Sequence, residues 1–116
     1  MRVEQRTVNG AQVLAVSGEV DMHNSPALRT ELLDLVERRT KAILVDLSDI
    51  EYIDSSGVAT FVECLREIGT YGGFLGIFGA TGAAMDVFEI ARLDQVFRFF
   101  PDEGTALQAA AAPENA

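Results

Sequence analysis

The densest run of chemistry-bearing residues in the chain is Asp54-Ser55-Ser56-Gly57: a carboxylate, two hydroxyls and a glycine in succession. It stands directly before a helical pattern of apolar residues. Short oxygen-bearing side chains at that position accept hydrogen bonds from the free N–H groups of a helix start. One cap needs one such residue. Three in a row also put hydroxyls at the positive end of a helix dipole, where a phosphate is tolerated.

Other residue sets offer less. Asp21, His23 and Ser25 have the types of a nucleophile–base–acid set, but residues two apart in a loop rarely point at one another, and a surface histidine is the simpler expectation. Cys64 lies near the apolar stripe of a helix, as a small buried thiol does. Gly76, Gly79 and Gly82 follow a strand and precede a helix, with neither Walker nor dinucleotide spacing; they read as a tight turn. Asp46, Asp49, Glu51 and Asp54 fall within nine residues that contain no base. Asp49 and Glu51 are expected on a solvated loop.

Composition narrows the classes further. The chain has 116 residues, 18 acidic and 9 basic, for a net charge of −9, which fits one domain and argues against nucleic acid, whose phosphates need Lys and Arg. One cysteine excludes an internal disulfide, and one Cys with one His is too thin for a structural zinc site. No apolar run approaches the ~18 residues of a membrane span, and Met1–Gly10 lacks the apolar stretch of a secretory signal. We therefore expect a cytoplasmic domain with no catalytic residues, no cofactor, no metal and no membrane insertion.

The elements that must position Asp54–Gly57 follow from periodicity. Val3, Gln5 and Thr7 lead to Asn9-Gly10, a strong hairpin signal, and a buried strand over residues 12–16. Gly18-Glu19-Val20-Asp21 is expected to carry the chain off that strand. Asn24-Ser25-Pro26 starts a helix with Leu28, Leu32, Leu35 and Val36 on one face, closed by Arg38-Arg39 near its negative end. Residues 42–47 form a central strand and 48–55 a loop. A second helix begins near Ser56, with Val58, Phe61, Val62, Leu65 and Ile68 at helical spacing, and ends at Gly72-Gly73. A strand over 74–78, a helix over 83–91, a strand over 96–100 and a weak helix around 106–110 complete the chain. The order β-β-α-β-α-β-α-β-α implies an α/β domain with a mixed, mostly parallel sheet and helices packed on it.

Residues 43–58, from Ile43-Leu44-Val45-Asp46-Leu47 through Asp54-Ser55-Ser56-Gly57-Val58, resemble the signature of the STAS domain, and specifically of bacterial anti-sigma factor antagonists. Gly18-Glu19-Val20-Asp21 resembles the family's Gly-Glu-Leu/Ile-Asp, and Gly72-Gly73, residues 88–93 and Val96-Phe97 resemble its turn, third helix and last strand. The resemblance runs from about residue 3 to 110, implying a STAS domain over 1–110 and a disordered tail over 111–116. Met22 and the glycine-rich 78–82 segment depart from the family's usual residues.

The resemblance implies partner switching. In that family the unphosphorylated protein binds an anti-sigma factor that is also a serine kinase, releasing the sigma factor. The kinase phosphorylates the serine before the glycine, here Ser56, and a PP2C-type phosphatase restores the active form. By the same resemblance Asp21, Asp54, Ser55 and Gly57 surround the phosphosite. Two relatives of the fold offer alternatives, a subunit bracing a membrane-transport ATPase and a component of a stress-signalling assembly. The free chain is expected to be a monomer, every apolar stripe being assigned to the core; an exposed face built on Phe61 or Phe88 would change that.

Overall fold

In a computed structural model that describes residues 1–112, the chain opens with β1 (Arg2–Val8) and β2 (Ala11–Val20). Asn9 and Gly10 join them with φ of 51° and 84°, both positive as a type I′ turn demands. There follow α1 (Ser25–Glu37), β3 (Ala42–Asp46), β4 (Ile50–Ile53), α2 (Ser55–Gly69), β5 (Phe74–Phe78), α3 (Gly82–Ile90), β6 (Arg98–Phe100) and α4 (Glu103–Ala111). The sheet runs β1-β2-β3-β5-β6, and β4 pairs with β2. β1 is antiparallel to β2, while β2–β3, β2–β4, β3–β5 and β5–β6 are parallel. This is the α/β architecture that the alternation of strands and helices implies.

Two local expectations change. Gly18-Glu19-Val20 does not leave β2 but continues it, with a register shift between Gly18 and Glu19 where Gly18 takes a φ of 81°; the shift leaves Glu51 of β4 without a partner in the register, and an extra residue of this kind bends the pair of strands without ending it. The segment expected as loop contains β4, paired through Gly18–Ile50, Glu19–Tyr52 and Val20–Ile53. Its four residues alternate poorly, because Glu51 and Tyr52 are both exposed, so pairing with β2 and not local pattern makes it a strand. Boundaries shift elsewhere: the last strand begins at Arg98 rather than residue 96, and α4 reaches Ala111, one residue past the expected domain end. Residues 113–116 of the expected tail lie outside the described residues.

Alternation along the strands divides the core in two. Leu14, Val16, Ile43, Val45, Leu75 and Ile77 point to the face covered by α1, α2 and α3. The intervening Val13, Leu44 and Phe78 point to the other face, where Ala106 of α4 is buried against them. Both faces of the middle strands are therefore dry, which is why β3 reads as a continuous apolar run. The larger core centres on Phe88, whose ring lies 5.2 Å and 5.5 Å from Phe99 and Phe97 in edge-to-face contacts and 6.3 Å from Phe61. Phe61 and Phe88 are fully buried, so neither builds an exposed helix face.

The glycines after β3 have separate roles. Gly79 takes a φ of 75° against the Ser48 backbone and Gly82 opens α3 with a φ of 54°. Gly76 differs from the expected turn: it sits inside β5, where a Cβ would stand 3.0 Å from both the Phe100 and Phe74 rings.

Candidate functional site

The pairing of β2 with β4 ends at Val20 and Ile53, so Asp21 and Asp54 emerge side by side at one end of the sheet. The Asp54 N–H donates to the Val20 carbonyl at 3.1 Å, which fastens the start of α2 to the end of β2. Immediately beyond, Gly57 is buried between these strands and the helix. A Cβ there would stand 2.8 Å from both Ile53 Cγ1 and Val20 Cγ1, closer than such atoms pack. The glycine lets the first turn of α2 lie directly on β2 and β4.

Asp54 is the N-cap of α2, with extended backbone at φ −105° and ψ −175°. Its Oδ1 accepts from the Ser56 amide at 2.9 Å and from the Ser56 hydroxyl at 2.5 Å. The hydroxyl bond is the largest cause holding the Asp54 carboxyl below its ordinary value. Desolvation opposes it, and the Ser56, Gly57 and Met22 amides add to the lowering. Ser56 is half-buried and Ser55 exposed. Thr60, buried one turn on, donates its hydroxyl to the Ser56 carbonyl at 3.1 Å. The first turn of α2 contains no acidic residue, so Asp54 at the cap is the negative charge facing its amides.

Asp21 organises the neighbouring turn instead of reaching for a ligand. Its Oδ1 accepts from the His23 and Asn24 amides at 2.9 Å and 3.2 Å, and its own amide donates to Asn24 Oδ1 at 2.9 Å. Asn24 is thus occupied by this turn and makes no side-chain cap to α1. His23 meets Asp21 through its backbone and is exposed, while Ser25 is buried; the structure does not assemble Asp21, His23 and Ser25 into a triad. Asp46 accepts from the Ser48 amide and hydroxyl at 2.9 Å and 2.6 Å, and Asp49 and Glu51 are exposed. Cys64 is fully buried, and desolvation pushes its thiol up to about 12. Among the described residues no three His, Cys, Asp or Glu side chains converge to hold a metal ion.

Sequence patterns did not point to a groove of about 820 Å³ between α2 and α3, which begins at Asp54 and Ser55 and is lined by Val58, Val62, Val87 and Leu93. Tyr52 and Ile90 border it, 49% and 82% exposed. Met22, whose amide contributes to the setting of Asp54, is 69% exposed. Helical spacing assigns Val62 to the buried stripe of α2, but Val62 is only partly buried and borders open space. Finding the groove needs the relative placement of two helices, which no local pattern contains.

Comparison with known proteins places this geometry. Residues 2–106 match the family model of the STAS domain. The chain is 28% identical over 108 residues to an anti-sigma-B factor antagonist of Staphylococcus aureus, covering 93% of this chain and 98% of that one. Among solved structures it is similar to an anti-sigma factor antagonist from Mycobacterium paratuberculosis, with a TM-score of 0.88 and 28% identity over 96% of this chain and 94% of that one. The phosphorylated form of the Bacillus cell-fate determinant SpoIIAA shares the fold, with a TM-score of 0.74 and 18% identity over 93% of this chain and 99% of that one. With the family's pattern running from residue 2 to residue 106 of 116, through every strand and into the last helix, the chain belongs to the STAS domain family.

Proposed function

We propose that this chain is an anti-sigma factor antagonist that works by binding, not by catalysis. Unmodified, it binds an anti-sigma factor that is also a serine kinase and so frees the sigma factor. Phosphorylation of Ser56 ends that complex, and a PP2C-type phosphatase reverses it. The module spans residues 1–110 and acts as a monomer in the cytoplasm. Asp21, Asp54, Ser55 and Gly57 form the surroundings of the phosphosite.

The observation that carries this reading is the placement of Ser56 in the first turn of α2, with its hydroxyl on Asp54 and exposed Ser55 and Met22 around it. The names of the relatives and the existence of a phosphorylated form in a protein of the same fold support it. A phosphate on Ser56 adds about −1.5 to −2 charges beside Asp54. The helix amides offset part of that inside the domain by ~0.3–1 kcal/mol. A partner surface packed on Ser56 has no such offset and must also make room for the dianion.

Wild-type and Ser56→Glu baits, applied to extract of the native host and read by mass spectrometry, test the reading. A small ATP-binding serine kinase retained by the wild type and lost by Ser56→Glu is the expected result. A transport ATPase retained equally by both would overturn it and leave Ser56 as part of a helix cap.

A further inference from the structure

The sheet path ends differently on its two sides. One end is β6, three residues long; the other is β1, seven residues long with no strand on its outer side. The turn at Asn9-Gly10 decides which backbone groups β1 leaves free. A two-residue hairpin closes with the Val8 carbonyl accepting from the Ala11 amide. Val8, Arg6, Glu4 and Arg2 therefore bond to β2, and the residues between them turn their N–H and C=O groups away from it. Val3, Gln5 and Thr7 thus present three donors and three acceptors along one open edge. Unpaired groups in such a row are a template for another strand.

The side chains of β1 select the strand that fits. Arg2, Glu4 and Arg6 are all exposed and share the α4 side of the sheet, where Arg6 pairs with Glu103 and Arg2 with Glu4. A second β1 laid antiparallel along the edge, Gln5 opposite Gln5, puts Val3 opposite Thr7 of the second copy. All three outward residues of each strand are then hydrogen-bonded. In the same register Glu4 faces Arg6 of the second copy, and the two-fold axis repeats the pair. Gln5 gives one side-chain N–H to Gln12 at 3.1 Å, which leaves its side-chain oxygen for the second copy. Sliding the strand by two residues destroys the match. One direction sets Glu4 against Glu4 and Arg2 against Arg6, and the other sets Arg6 against Arg6. The charges that guard this edge against other pairings admit this one.

We propose that this edge pairs with a second copy of the same chain, β1 against β1 about a two-fold axis, to make one continuous sheet. The contact is self-complementary and closes after two copies. Two chains of −9 meet at a segment whose charges are Arg2, Glu4 and Arg6, and salt at physiological strength screens the remaining repulsion beyond ~8 Å. Seven residues a side fall short of the ~20–30 of a standard interface. The dimer is therefore weak and dissolves on dilution, and the monomer remains the form that meets other partners. β1 pairs with Ala11–Ser17 of β2, ahead of the Gly18–Val20 stretch that leads to Asp54 and Ser56, so the pairing stands apart from the switch.

Sedimentation equilibrium of the full chain, up to ~1 mM in ~0.15 M salt, is expected to show a reversible dimer. In ¹⁵N spectra over the same range the amides of Val3, Gln5 and Thr7 are expected to shift and to gain protection from hydrogen exchange. Those of Arg2, Glu4 and Arg6, already bonded to β2, are expected to change little in protection. Glu4→Arg and Arg6→Glu each set like charges opposite one another twice, and each is expected to weaken the dimer about tenfold. Mixed together, the two variants recover both opposite-charge pairs, so the mixture is expected to associate at least as tightly as wild type. Gln5→Pro, tolerated on an edge strand where the N–H faces outward, removes the central donor of each strand and is expected to abolish the dimer. A chain that stays monomeric throughout would overturn the proposal and leave the edge to a strand of another protein. A dimer indifferent to the charge reversals, or one whose shifts lie on α2 and α3, would overturn it as well. Ser56→Glu is expected to leave the dimer unchanged, and its loss in that variant would tie the contact to the switch and not to β1.

Discussion

Ser56 gives its hydroxyl hydrogen to Asp54 Oδ1 across 2.5 Å, and the same oxygen caps α2 by accepting the Ser56 amide at 2.9 Å. One carboxylate oxygen thus fixes both the helix start and the direction of the serine side chain. It also makes Asp54 a poor general base, since a carboxyl held below its ordinary value has little affinity for a proton. The arrangement orients a hydroxyl without activating it. A kinase that uses Ser56 must bring its own base and its own phosphate-binding groups.

The lowered carboxyl of Asp54 has a signed consequence for stability. A carboxyl depressed by folding contributes stability that is fully present above its unfolded value, roughly 3.9, and is lost as pH falls through the lower folded value. Asp54→Asn cannot titrate. Urea midpoints of wild type and Asp54→Asn are therefore expected to differ by a constant amount from pH 5 to pH 7, with the wild type more stable, and to converge below about pH 4. A gap that widened in acid would contradict the hydrogen-bonding account.

Gly57 is where the turn that carries Ser56 rests on the sheet. In Gly57→Ala the new Cβ meets Val20 Cγ1 and Ile53 Cγ1 at 2.8 Å. Both neighbours are fully buried β-branched side chains with little freedom to move. Overpacking of this kind costs about 1–3 kcal/mol, outweighing the gain of a better helix former, which is ~1 kcal/mol. Denaturant unfolding is expected to show a net loss, and the amide shifts of Asp54 and Ser56 should move with it.

Cys64 lies one helical turn beyond Thr60 on the buried side of α2. Burial keeps it a thiol, pushed up to about 12, so the thiolate that alkylating agents attack is nearly absent at pH 8. Iodoacetamide is expected to leave Cys64 unmodified in the folded protein and to label it fully in denaturant. Rapid labelling of the native state would mean that α2 opens from the sheet.

Much of this architecture is written locally. Asn9-Gly10 demands its turn, Leu28, Leu32 and Leu35 mark the inner side of α1, and the apolar run over residues 42–47 announces a central strand covered on at least one face. β4 was not legible because Glu51 and Tyr52 break the alternation and pairing with β2 comes from distant sequence. Asp21 and Asp54 carry the right residue types for a shared site. That they leave the sheet as neighbours follows from that same pairing, so the site and the missing strand were hidden together. Ile90 illustrates the converse limit: an isoleucine on a helix invites a buried assignment, and here it is 82% exposed because α3 turns that side away from the sheet.

The core beneath the site sets an upper scale for damage. Phe88 touches Phe61, Phe97 and Phe99 and is fully buried. Phe88→Ala is expected to cost about 3–5 kcal/mol by cavity formation, a large share of the ~5–15 kcal/mol that holds a domain of this size. Urea unfolding measures it, and a loss below about 1 kcal/mol would mean that α3 packs less firmly than its aromatic contacts imply.

Ser56→Glu should behave differently, because the charge it adds meets two opposed effects. It stands in the first turn of α2, where an acid gains about 0.3–1 kcal/mol from the helix amides and no other acid occupies that turn. It also loses the hydroxyl bond to Asp54 and places a like charge near that carboxylate, at a cost of similar size. The two nearly cancel, so the unfolding free energy is expected to stay within about 1.5 kcal/mol of wild type. Ser56→Ala loses the hydroxyl bond without gaining the dipole interaction and should be slightly destabilised. Both variants therefore remain folded, and any difference between them in partner binding reports the charge at residue 56. A Glu variant that unfolded at ambient temperature would show that modification acts on the fold and not on the interface.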